Sequence, residues 1–168
     1  MPIHKERLKL KIPKTKSEWL WDFIGYSFYF GSIVLLIAVW NILPEKVPAH
    51  YNAFGEIDRW GSKWELLILP GIGALILLFM QIMEKHPEVH QYPERLNEAN
   101  AEQFYLISRK LVNQLKNICL ILFGVLLFEM VSDALGWGIR FGKWLLPLII
   151  IGTIAPIIIG MIKQSKIK

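Results

Sequence analysis

Thiol chemistry is nearly absent from this chain of 168 residues. One cysteine, Cys119, leaves no intramolecular disulfide to form. Catalytic signatures are missing too: there is no nucleophile elbow, phosphate loop or dinucleotide fingerprint. His86 and His90 stand four apart in "HPEVH", but no glutamate follows the first histidine and Pro87 disrupts the helix that would align them. Catalysis therefore finds no support in the motifs. No small-residue cleavage site follows the first apolar run, so the N-terminal segment is expected to stay as an anchor. No folded basic face accompanies the basic residues near the start, which removes nucleic acid from the expected partners.

Charge is scarce where it matters most. Hydrophobic residues make up 54% and charged ones 20%, with the charges gathered into blocks. Four windows, 23–43, 64–83, 118–135 and 144–162, have the length and apolarity to cross a bilayer, which takes about 20 residues rising about 1.5 Å each. Within lipid they must be helical, because a lone strand leaves its backbone groups unpaired. The fold class expected is an all-α membrane protein with four transmembrane helices. Five of the 19 basic residues (Lys46, Arg59, Lys63, Arg140 and Lys143) fall in the two odd-numbered links, and the other fourteen fall on the opposite side. The positive-inside bias places both termini on the cytoplasmic side. The net charge of +5 then speaks of topology and of anionic headgroups, so membrane lipids are expected partners.

The chain divides accordingly. Residues 1–22 form a basic cytoplasmic arm, with Pro2, Lys5 and Pro13, that ends in the interfacial aromatics Trp19 and Trp21. Residues 23–83 form a first helical hairpin around an outer loop, 44–63. Residues 84–117 form a cytoplasmic segment whose later part is amphipathic, with Phe104, Ile107, Leu111 and Leu115 on one face. Nothing breaks that helix before the third span, so a continuous rod from about residue 97 to 135 is expected. Residues 118–168 form a second hairpin and a basic tail. "RWGSKWELL" before span two and "RFGKWLL" before span four echo one another. Shared interface chemistry explains the echo, and so does a chain built from two similar hairpins.

The outer loop is too rich in chemistry for a mere turn. Pro44 ends a helix, Gly55 permits a turn of positive φ, and Asp58 can cap a subsequent turn or the second helix. The run Leu43-Pro44, Pro48, His50, Asn52, Gly55, Asp58, Trp60-Gly61 and Lys63 resembles the domain of unknown function at the N-terminus of SdpI-like immunity proteins, bacterial membrane proteins related to one that protects against a sporulation-delaying toxin. "NEANAEQFYLISR" resembles a helix that follows the second span in some members. SdpI-like proteins continue into further membrane helices, whereas this chain has windows for four. The resemblance implies a membrane fold and a peptide toxin or a partner membrane protein as ligand.

Glu129 and Asp133 share one helical face near the outer end of span three, where unpaired carboxylates are costly. Lys63, Arg140 or Lys143 could match them. The candidate outer-face binding set is therefore His50, Asn52, Gly55, Asp58, Trp60, Lys63, Glu129 and Asp133. His50, Asp58, Glu129 and Asp133 together have the donor types of a divalent metal site. The expected function is non-catalytic binding or sensing of a peptide, lipid or partner at the outer face, with toxin resistance as its narrower form. The alternatives are a small metal-assisted enzyme acting there on lipid or peptide, and a cation or proton pathway through Glu129 and Asp133.

Overall fold

A computed structural model describes residues 7–168; residues 1–6, with Pro2 and Lys5 of the basic arm, lie outside the described residues. The described chain contains α1 (Lys16–Val39), β1 (Lys46–Tyr51), β2 (Ile57–Ser62), α2 (Ile68–Lys85), α3 (Ala101–Ala134) and α4 (Leu145–Ser165). Short 3-10 turns precede α2 at Lys63–Leu67 and α4 at Gly142–Trp144. The two echoing sequences thus share one local role, a tight turn feeding a helix. Four helical segments are long and apolar enough to cross a membrane, and the protein is a multi-pass membrane protein by that criterion.

The all-α expectation needs one correction. Residues 46–62 form an antiparallel two-stranded hairpin, with Val47 opposite Gly61 and Pro48 opposite Trp60, interrupted by irregular register on either side of His50. Its strands hide from a pattern search because burial does not alternate along them and β1 carries a proline.

Helix α1 starts seven residues before the expected span. Thr15 opens it, and its backbone N–H donates to Glu18 Oε2 at 2.7 Å, which satisfies an otherwise free donor. Helix α3 is one unbroken element of 34 residues, about 51 Å long at about 1.5 Å per residue. It is also the hub: 56% of its most apolar window is buried by protein, against 6% for α4. Helices α1 and α3 run parallel, as shown by successive contacts of Glu18 with Arg109, Asp22 with Asn113 and Phe28 with Gly124. A Cβ on Gly124 would sit 2.7 Å from the Phe28 carbonyl oxygen, so a small residue is what lets these backbones approach. Helix α2 runs the other way, with Gly73 against Tyr29 and Glu84 near Asp22's partner Lys116.

Two apolar cores result. One joins Leu36, Val39, Val47, Leu66, Leu127 and Val131 beneath the hairpin. The other joins Phe104, Tyr105 and Ile167 with Leu10 and Ile12 at the far end, where residues 7–15, 86–100 and 166–168 gather. Between them lies a layer of buried charge.

Candidate functional site

The hairpin's turn is built by Asn52. Its Oδ1 accepts from the backbone of Phe54 at 2.9 Å and of Glu56 at 3.0 Å, while its Nδ2 donates to Glu56. Gly55 has φ of +77°, and a Cβ there would fall 2.3 Å from the Gly142 carbonyl carbon. The turn therefore docks flat on the 135–144 link, and only glycine fits.

That link is stitched to the end of α3. Glu129 Oε1 accepts from the backbone of Phe141 at 3.1 Å and Gly142 at 3.0 Å, and Ser132 Oγ accepts from Ile139 N at 3.1 Å. Asp133 accepts from the Tyr51 hydroxyl at 3.0 Å and from Arg140. Burial, then the hydrogen bond and charge of Asp133, push the Tyr51 phenol far above its ordinary range. The hydrogen bond to Asp133 likewise raises Arg140.

Around these contacts lies a cleft of about 480 Å³ between the hairpin and α2, α3 and α4. Ile68, Leu69, Leu126, Met130, Leu145 and Ile149 make its walls apolar, and His50, Arg59, Glu65 and Glu129 bring polar groups to it. His50 Nδ1 lies 2.6 Å from Asp58, and Arg59 donates to Glu65 at 2.8 Å. Glu129 differs: it is 2% exposed and its Oε2 has no hydrogen-bond partner among the described residues.

Of the eight candidate residues, His50, Asn52, Gly55 and Glu129 line this cleft, and Asp58, Trp60, Lys63 and Asp133 do not. Asn52 and Gly55 shape the turn, His50 and Asp58 pair on the exposed hairpin, and Trp60 stays 54% exposed, away from the cleft. Lys63 serves Glu45 at 2.8 Å and leaves Glu129 and Asp133 unserved; Arg140 is the basic residue that reaches Asp133. His50, Asp58, Glu129 and Asp133 do not converge. Among the described residues no group of three or more His, Cys, Asp or Glu is placed to hold a metal.

The buried charge layer was not anticipated. Lys116, 0% exposed, donates to Asp22 at 2.9 Å and sits 2.6 Å from Glu84. Lys14 joins the same two acids; burial pulls its ammonium down, but the Asp22 hydrogen bond and the Glu84 and Asp22 charges outweigh this and raise it. Asn113 and Asn117 each donate to Asp22, and Arg109 pairs with Glu18 at 2.8 Å. The signal was present as helical spacing: 109, 113, 116 and 117 share one face of α3, and 18 and 22 share one face of α1. Nearby, His90 bonds Ser108 and the Met83 carbonyl, and burial holds it below the ordinary histidine range.

Residues 28–74 match a family described as a domain of unknown function (DUF1648). That stretch covers the later part of α1, the hairpin and the start of α2. An uncharacterized protein from Archaeoglobus fulgidus is 33% identical over 95 residues, which is 55% of this chain and 44% of that protein. The chain thus spans less than half of that relative's length. No solved structure matches the chain.

Proposed function

We propose that this protein binds an amphipathic ligand carrying a cationic group, a peptide or lipid with an amine or guanidinium, in the cleft under the hairpin. The observation that carries the reading is the free oxygen of Glu129. A carboxyl oxygen closed off from water and left unpaired costs free energy whether the acid is ionised or protonated. A ligand cation offsets that cost, while the apolar walls take the ligand's hydrocarbon. Arg59 does not oppose this, since Glu65 neutralises it. The reading includes the orientation drawn from the basic residues: hairpin and cleft outside a bacterial inner membrane, both termini cytoplasmic. The role is non-catalytic capture or sensing, and protection against a peptide toxin is its narrower form. A proton or cation pathway through both acids is less favoured, because Tyr51 and Arg140 already satisfy Asp133.

Titrating the purified protein in neutral detergent with decylamine, decanol and decanoate tests this. A charge-assisted hydrogen bond of about 1.5–3 kcal/mol predicts roughly 10- to 150-fold tighter binding of the amine than of the alcohol. Glu129→Gln should erase that preference. Equal binding of all three probes by both proteins would refute the reading.

A further inference from the structure

At the opposite end of the bundle a second cleft, of about 510 Å³, lies between the arm and the end of α2. Lys11, Lys14, Lys85, Arg109, Glu84 and Gln81 contribute its polar lining. Two of the four cations are committed. Lys14 is held by Asp22 and Glu84, and Arg109 spends its guanidinium on Glu18 and on the carbonyls of Ile12 and Pro13. Those carbonyl contacts pin the arm in place, so they fix the cleft's wall. Lys11 and Lys85 are exposed and have no ion-pair partner among the described residues. Two like charges facing one cleft repel, and an anion between them turns that repulsion into attraction.

We infer that this cleft binds a phosphate group, with Lys11 and Lys85 as its ligands. A lipid headgroup and free phosphate offer the same chemistry. The surroundings favour the lipid: beyond the cleft α2 exposes Ile82, Phe79, Leu78 and Leu75, an apolar strip along which acyl chains can lie. The site is independent of the cleft under the hairpin and stands whether or not that one binds a cation.

The test uses the full chain in neutral detergent, with dioctanoyl phosphatidylglycerol, dioctanoyl phosphatidylcholine and inorganic phosphate as probes. Binding and the shift in thermal midpoint are read for each. Phosphatidylglycerol should bind at least tenfold tighter than phosphatidylcholine. At about fivefold per lysine, Lys11→Ala/Lys85→Ala should lose roughly 25-fold in affinity for phosphatidylglycerol. Both lysines are exposed, so the variant keeps the interior intact. Lys163→Ala/Lys166→Ala removes the same charge from the same end, outside the cleft, and should change affinity less than twofold. Inorganic phosphate as effective as the lipid would assign the site to a free anion; weaker phosphate assigns it to the headgroup. An unchanged affinity in the cleft variant, or an equal loss in the control variant, overturns the inference.

Discussion

Replacing Lys116 by methionine keeps the length of the side chain and removes its ammonium. In the folded protein that ammonium is fully buried, 2.9 Å from Asp22 and 2.6 Å from Glu84, with the Tyr26 hydroxyl at 3.2 Å. Lys14 and Lys116 balance Asp22 and Glu84, so the cluster is neutral; without Lys116 it holds one uncompensated buried carboxylate. Lys14 cannot take over, because its ammonium is already shared between both acids and its side chain is 26% exposed. Breaking a buried ion pair from one side costs about 3–5 kcal/mol, and the cost here should fall in that range. The companion change Glu84→Gln restores neutrality, leaving Lys14 to Asp22. The double variant Lys116→Met/Glu84→Gln should therefore be more stable than the sum of its parts by at least about 1 kcal/mol. Reversible unfolding in mixed detergent micelles measures all three variants. A loss below about 1 kcal/mol for Lys116→Met, or strict additivity in the double variant, would refute the argument that charge balance holds this layer together.

Two further outcomes are expected. A double-mutant cycle of Tyr51→Phe with Asp133→Asn should show coupling of about 0.5–3 kcal/mol, while His50→Ala with Asp133→Asn should be additive within about 0.3–0.5 kcal/mol; the reverse pattern in unfolding measurements would mean that His50, not Tyr51, joins the hairpin to α3. For orientation, single cysteines at the exposed positions Ala53 and Glu98, in a Cys119→Ser background, should differ in labelling by an impermeant thiol reagent in intact cells. Labelling at residue 98 with none at residue 53 would invert the topology.

The spans were legible because twenty apolar residues in a row admit few other fates. Their ends were less so. Taken one position at a time, Lys14, Arg109 and Lys116 read as cytoplasmic charge awaiting headgroups. They become interior only once α1 and α3 lie parallel and in register, which places Glu18 against Arg109 and Asp22 against Lys116. Register between helices distant in sequence is not written in either helix alone; it is a property of the pair. The outer loop shows the same division. Asn52 and Gly55 act locally, so their turn chemistry could be read from residue type. The hairpin's attachment could not, since it joins Tyr51 to Asp133 across 82 positions. The shared helical face of Glu129 and Asp133 does not give them a shared fate. Asp133 finds a phenol and a guanidinium, whereas Glu129, among the described residues, finds two backbone N–H groups on one oxygen. The two ends of the bundle therefore differ in kind. The layer around Lys116 balances its charge within the protein, and its two unpaired amide oxygens, on Asn113 and Asn117, line neither cleft, while one buried oxygen of Glu129 stays unpaired in the wall of a cleft. A group that folding leaves unsatisfied next to accessible space is where a ligand adds most, and that asymmetry is why the binding reading rests on Glu129 and not on the larger charged layer.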